Sequence, residues 1–261
     1  MYLIDSHCHL DFPEFDHDRD TVLQHAAAGG VQRLVLASVS RRHWARLWSC
    51  VEQYPACYGT LGLHPYFIAK HQPTDIADLR EQLISRQQHP KLCAIGEIGL
   101  DYQLPDLPAD IQQFYFEEQL KLAQEFNLPV IVHVRKAHAA CIVSLKRFPI
   151  ARGGIIHAFN GSYEQAVEYR KLGFLLGIGG AYSWPAARKL RAMLLRLPLD
   201  QLALETDSPD MAPAFAARQR NSPEHLPRLC QLLAEDVLNI PATQLAQQTS
   251  DNVKRLFGWQ A

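Results

Sequence analysis

The stretch LIDSHCHLD, residues 3–11, sets the reading of the whole chain. A short apolar run that breaks into polar residues reads as a buried strand reaching its end. Residues i and i+2 of a strand point to the same side. His7 and His9 can therefore address one cation together. The pattern recurs downstream, where apolar runs end at Glu97 (LCAIGEIGLD, 92–101), His133 (LPVIVHVR, 128–135), His157 (GGIIHAF, 153–159) and Asp207 (LALETDSP, 202–209). If those strands are parallel members of one sheet, all six side chains emerge at one edge. Imidazoles and carboxylates converging in a dry cleft make a divalent-metal site.

Outward from these runs, the spacing predicts eight strands: Tyr2–Ser6, Arg33–Ala37, Cys57–Leu63, Leu92–Gly96, Val130–His133, Gly154–His157, Phe174–Ile178 and Leu202–Thr206. Helix-period segments separate them: Asp18–Ala28, Arg42–Gln53, Asp75–Gln88, Asp110–Phe126, Ala137–Arg147, Tyr163–Lys171 and Pro185–Leu195. On Asp110–Phe126, residues Ile111, Phe114, Tyr115, Leu122, Ala123 and Phe126 fall roughly on one face. Ser162 with Gln165 reads as a capping box. Pro223–Leu238 and Pro241–Leu256 are two further helices at the C-terminus. Strand–helix alternation with parallel crossovers implies an α/β fold, a (β/α)8 TIM-type barrel with its metal site at the C-terminal mouth of the strands. An open sheet would spread the site residues over strands roughly 4.8 Å apart, whereas a closed ring gathers them. No repeat or linker interrupts the pattern, so residues 1–261 read as a single domain.

Composition narrows the class. The 261 residues are 48% apolar and carry a net charge of −1, so no global positive field draws polyanions. Any polyanion must be held by a local patch or by bound metal. The six cysteines form no C-x-x-C pair or disulfide framework. No basic leader precedes an apolar stretch, and no run approaches the roughly 20 residues of a membrane span. The expectation is a cytoplasmic protein without a membrane association or an obligate protein partner.

Each candidate has a chemical task. Glu97, between Gly96 and Gly99, can bridge two cations about 3.5–4 Å apart. No lysine stands near it, which disfavours a carboxylated-lysine bridge. Asp207 can ligate a metal and accept a proton from bound water, whose pKa a cation lowers toward about 7. Arg135 shares its side of the strand with His133 and suits a phosphate oxygen pair. Arg41, Arg42, Lys136, Arg218 and Arg220 lie in loops expected to face the mouth and together can track a phosphodiester backbone. His64, in GLHPY, is a candidate for phosphate contact or leaving-group protonation. Tyr182 or Trp184 can stack a terminal base. Glu205, beside Asp207, completes the expected substrate-binding set.

The segments DSHCHLDF (5–12), LGLHPY (61–66), AIGEIGLDY (94–102), QLKLAQEFNLPVIVHVRKA (119–137), IIHAFNGS (155–162), LALETDSP (202–209) and NVKRLF (252–257) resemble, in order and over nearly the whole chain, the TatD family of metal-dependent hydrolases within the amidohydrolase superfamily. The resemblance implies a TIM-type barrel holding two divalent metal ions. It assigns one metal to His7, His9 and Asp207 and the other to His133 and His157, with Glu97 bridging. It also implies a deoxyribonuclease, in some members a 3′–5′ exonuclease on single-stranded DNA, that uses a metal-bridging hydroxide. The metal is zinc, manganese, nickel, iron or, less comfortably, magnesium. Hydrolysis of a small amide, lactone or ester, including an aminoacyl ester on RNA, uses the same site and is the alternative. A non-catalytic metal-binding scaffold is the third reading.

Overall fold

The computed structural model describes residues 1–103, 106 and 108–260. Eight parallel strands are arranged in sequence order: β1 Leu3–Cys8, β2 Val31–Leu36, β3 Cys57–Leu61, β4 Leu92–Asp101, β5 Val130–Arg135, β6 Gly154–Ile156, β7 Phe174–Ile178 and β8 Leu202–Leu204. Helices α1 (Arg19–Ala28), α2 (Arg41–Gln53), α3 (Asp75–Arg86), α4 (Ala109–Phe126), α5 (His138–Arg147), α6 (Tyr163–Lys171) and α7 (Arg188–Leu194) make the crossovers, and α8 (Leu226–Leu232) and α9 (Ala242–Phe257) follow β8. This is the TIM-type barrel that the strand spacing predicts. Most boundaries agree to within three residues, but β4 continues five residues past its expected end at Gly96, to Asp101. The larger departures have local causes. The Gly180–Ser183 segment forms a tight 3-10 turn, and the Arg191 guanidinium donates to the carbonyls of Tyr182, Trp184 and Pro185. The helix expected from Pro185 therefore starts only at Arg188. The helix expected over Pro223–Leu238 divides into a 3-10 turn, α8 and a π-helical stretch, Leu233–Leu238, which ends at left-handed Asn239.

Two apolar layers hold the barrel. The inner one joins Ile4, Val35, Ala94, Ile131, Ile155 and Ala203 of the strands to Val253, Leu256 and Phe257 of α9. Helix α9 thus plugs the N-terminal end of the barrel. Ser250 Oγ donates to Tyr2 O, and Asn252 Nδ2 donates to Leu199 O and Leu202 O. With one end plugged by hydrocarbon, the polar residues of the strands collect at the other. The outer layer packs the helices on the strands. On α4 the buried face is rotated from the expected one: Ile111 and Phe114 are exposed, while Gln112 and Gln119 are buried. Gln119 receives Leu63 N–H and donates to Leu63 O, and Gln112 does the same for Asp101. Two amides on one helix face (seven residues apart) thereby satisfy the frayed ends of β3 and β4 that periodicity alone assigns to apolar contact.

The seam between β8 and β1 is closed beyond the end of β8. Asp207 N–H donates to His7 O (2.9 Å) and His9 N–H to Ser208 O (2.7 Å). Buried Asp5 accepts from Thr206 N–H (3.0 Å), Thr206 Oγ1 (2.6 Å) and His7 N–H (3.3 Å). Truncating Asp5 strands three buried donors, each worth about 1–3 kcal/mol when unpaired. Asp5→Ala should lower unfolding free energy in chelator by at least ~2 kcal/mol, read from urea denaturation. A change within ~0.5 kcal/mol would mean that this seam does not hold the barrel together.

Candidate metal centre

Six strand-end side chains meet at the C-terminal mouth. Glu97 comes from the middle of β4, not its end. Ile95 pairs with Val130 but Ile98 with Val132, so three β4 residues span two of β5. This bulge at Gly96–Glu97 turns Glu97 inward. Glu97 N–H donates to Ser38 O (2.8 Å), and Ser38 Oγ donates to Gly96 O (3.0 Å). Asp207 sits past β8 with φ of 58°, a left-handed turn that aims its carboxylate at His7 and His9.

The donor atoms have the spacing that a cation requires. His7 Nε2 is 3.4 Å from His9 Nε2, 3.2 Å from Glu97 Oε2 and 3.5 Å from Asp207 Oδ1. His9 Nε2 is 3.8 Å from Glu97 Oε2 and 3.5 Å from Asp207 Oδ1. A tetrahedral cation with bonds of about 2.0–2.1 Å has ligand–ligand edges of about 3.3–3.4 Å, a spacing that the His7, His9 and Asp207 atoms share. The second group lies on the other oxygen of Glu97. His133 Nδ1 is 3.1 Å and His64 Nε2 3.0 Å from Glu97 Oε1. His157 stands between the groups, its Nε2 3.4 Å from Asp207 Oδ2 and its ring stacked on His7 at 3.6 Å. Three overlapping triads offer one donor atom each at mutual ligating distance: His7–His9–Asp207, His7–Glu97–His157 and His64–Glu97–His133. Glu97 therefore presents one oxygen to each side. His64, expected to touch substrate, belongs to the third triad.

Outer partners fix the imidazoles. His9 Nδ1–H donates to Ala37 O (2.9 Å), leaving Nε2 for the site. His133 Nε2 faces Asp101 Oδ2 at 3.1 Å, leaving Nδ1 inward. His157 Nδ1 is 3.0 Å from Glu205 Oε1. Glu205, expected to bind substrate, is fully buried behind His157 and receives Ala158 N–H (2.7 Å), so it faces the imidazole as a charge partner rather than the cavity. A Cβ on Gly177 would overlap its carboxylate, which is why β7 carries glycine opposite it. Asp101, four residues after Glu97 on the same strand, is the orienting residue that the sequence reading passed over.

Charge binds the cluster together. Burial opposes ionisation of Glu97, but His64, His7, His157 and His133 outweigh it and hold the carboxyl well below its usual range. Asp207 is likewise depressed against its burial, by His157, His9 and His7. Burial lowers His7, and pushes His64 down to about 4. His9 rises to about 9 because Asp207 and Glu97 overcome its burial, and His157 rises for the same reason beside Glu205 and Asp207.

The mouth opens into a cavity of about 540 Å³ walled by His64, Tyr66, Phe67, Arg135, Asn160 and Met211 as well as the ligands. Tyr66 is 59% exposed there. Two expected stacking residues are elsewhere. Tyr182 is 1% exposed and its hydroxyl donates to Leu229 O. Trp184 lies outside the cavity wall, with its Nε1–H donated to Ala212 O at 3.2 Å. Two expected backbone-tracking cations are also engaged: Arg41 pairs with Asp78, and Arg220 with Asp18.

Residues 4–258 match the model of the family described as TatD related DNase. The chain is 39% identical over 254 residues to a protein of Escherichia coli K12 named uncharacterized metal-dependent hydrolase YjjV, covering 97% of both chains. It is 32% identical over 269 residues to the 3′-5′ ssDNA/RNA exonuclease TatD of Escherichia fergusonii, covering 98% of this chain and 99% of that one. The crystal structure of the Escherichia coli YjjV TatD homologue superposes with a TM-score of 0.93 at 39% identity, covering 98% of each chain.

With His9 raised to about 9, the metal-free centre retains a proton on His9 at neutral pH that a cation must displace. Affinity for Zn²⁺ or Mn²⁺ should therefore climb as pH rises from 6 toward about 9, with proton release that makes the calorimetric heat depend on buffer ionisation enthalpy. A heat independent of buffer, with affinity flat across that window, would contradict the proton count.

Proposed function

The chain belongs to the TatD related DNase family, a family of metal-dependent hydrolases, and on that premise we propose that it is a phosphodiesterase degrading single-stranded nucleic acid, chiefly DNA, from the 3′ end. The observation that carries this reading is the shared carboxylate: Glu97 offers Oε2 to His7 and His9 and Oε1 to His64 and His133, with Asp207 beside His7, His9 and His157. That donor arrangement suits two divalent cations, one beside His7, His9 and Asp207, the other beside His133 and His157 or His64, with Glu97 between them. Such cations supply the charge that neutralises a phosphoryl oxygen and lower the pKa of a nearby water. The relative named a 3′-5′ ssDNA/RNA exonuclease supports the substrate class and the polarity.

The chain's own residues then divide the work. Asp207 is partly open to the cavity, with its side chain 13% exposed, and its carboxylate is the base that accepts the proton of the attacking water. The exposed Arg135 guanidinium on the cavity wall binds non-bridging phosphate oxygens and stabilises the charge that builds on them. His64 lies on the same wall, and Tyr66 offers a ring face for the terminal base. Glu205 and Asp101 are positioning residues that act through His157 and His133. The described helices are too short or too polar to cross a bilayer.

Protein reconstituted with Mn²⁺ or Zn²⁺ should shorten a single-stranded oligonucleotide from a free 3′ end and release mononucleotides. Asp207→Asn should cut kcat by about 10²–10⁴-fold, and His133→Ala should be comparably impaired. Turnover of lactones or aminoacyl esters with intact oligonucleotide would move the reading to acyl hydrolysis. Undiminished nuclease activity in His133→Ala would trace cleavage to another protein.

A further inference from the structure

A second cavity, about 450 Å³, lies beside the mouth, between the start of α2 and the 3-10 turn Pro65–Lys70. Ser40, Arg42, His43, Phe67, Lys70 and Asp75 are among its walls. Phe67 also walls the mouth cavity, so the two spaces share one ring as their partition. A series of rings runs from the metal centre into it. His9 stacks on Phe12 at 4.7 Å, Phe12 meets His43 at 5.8 Å, and His43 meets Phe67 at 6.0 Å. Phe67 in turn meets His64 at 6.1 Å. Such a series gives flat apolar faces next to cations, which is how sequence-tolerant single-strand binding is built.

The charge in this cavity is unspent. Arg42 and Lys70 are exposed, and among the described residues neither has a carboxylate within ion-pairing distance. Lys70 Nζ lies 5.6 Å from the Phe67 ring centroid. The acid in the wall, Asp75, is already met by Gln72 N–H (3.0 Å) and lies 3.8 Å from Arg41, which itself pairs with Asp78. A groove of about 860 Å³ on another side of the mouth joins it at Asn160 and carries Arg188, Lys189 and Arg196. Arg196 there is committed to the Tyr163 ring at 3.6 Å, Glu164 shares the wall, and no comparable ring series reaches the metal centre.

We propose that the Arg42–Lys70 cavity is a second subsite, which holds the phosphate of the nucleotide flanking the one cleaved, with the flanking base against Phe12 and Phe67. The inference rests on the phosphodiesterase reading for its ligand, and sets the direction in which the strand leaves the metal centre. It also explains how a chain of net charge −1 retains a polyanion: Arg42 and Lys70, placed one ring away from the reaction, add to Arg135 at it.

The test is binding of a fluorescein-labelled, ten-nucleotide deoxythymidine strand to full-length protein in chelator, where nothing is cleaved. Arg42→Ala/Lys70→Ala should raise Kd about ten-fold at low salt. It should also flatten the log–log salt dependence by about 1.4, two contacts at about 0.7 each. Arg188→Ala/Lys189→Ala should leave both unchanged, and thermal midpoints should match wild type. If the first variant is unstable, Arg42→Gln/Lys70→Gln replaces it. Unchanged Kd and slope in the Arg42/Lys70 variant, loss confined to the Arg188/Lys189 variant, or wild-type protein that fails to bind the strand would each overturn the subsite. The predicted binding loss in the Arg42/Lys70 variant, together with wild-type protein that cleaves no phosphodiester with any metal, would keep the subsite and remove the reaction assigned above.

Discussion

Two carboxylates, the buried Glu97 and the half-buried Asp207, lie within reach of five imidazoles at the barrel mouth, with no ion pair from lysine or arginine to either among the described residues. Isolated buried anions are prohibitively costly, so such a cluster exists only if positive charge enters it. In the metal-free protein that charge comes from protons, held most firmly on His9 and His157. A divalent cation supplies the same charge without occupying the nitrogen lone pairs with hydrogen. The electrostatic demand of the cluster and its affinity for metal are thus one property seen in two states. The surrounding Asp101, Glu205 and Ala37 carbonyl then decide which ring nitrogen is left facing inward.

That demand is met by the same contacts that close the barrel. The seam between β1 and β8 is made by backbone hydrogen bonds of His7, His9, Asp207 and Ser208, and by Asp5 receiving Thr206. His7, His9 and Asp207 are therefore held by the ring's last join, whereas α9 and the inner apolar layer plug the opposite end. Rigidity at the mouth does not depend on long loops, and donor spacing near a tetrahedral edge follows from it.

Strand ends were legible because apolar runs terminate abruptly at chemically distinctive residues, and His7, His9, Glu97, His133, His157 and Asp207 do converge. What the pattern missed follows from where regular periodicity stops. Glu205 stands two residues before Asp207, which on a strand would share its face. But β8 ends at Leu204 and Asp207 is left-handed, so Glu205 turns behind His157. Tyr182 belongs to a 3-10 turn whose hydroxyl finds Leu229 O, a partner supplied by distant sequence. Gln112 and Gln119 look like surface residues until the backbone groups they serve are known. His64 was placed at the mouth, but its proximity to Glu97 depends on the β4 bulge, which no spacing rule announces.

The bulge is itself the product of small polar residues on neighbouring strand ends. Ser38, past β2, accepts Gly62 N–H (2.6 Å) and donates to Gly96 O, and Thr60 Oγ1 of β3 donates to the same carbonyl. Gly96 O and Glu97 N–H are thus satisfied by residues one and two strands away instead of by a regular ladder with β5. Neither Ser38 nor Thr60 touches the donor atoms, and neither has a chemical signature in sequence. Their hydroxyls nonetheless set the depth at which the Glu97 carboxylate enters the site, and with it whether its two oxygens can face two groups of histidines. The position of the Glu97 carboxylate is therefore made by its strand neighbours as much as by its own side chain: the residue type supplies the charge, and the hydroxyl lattice beneath it supplies the reach.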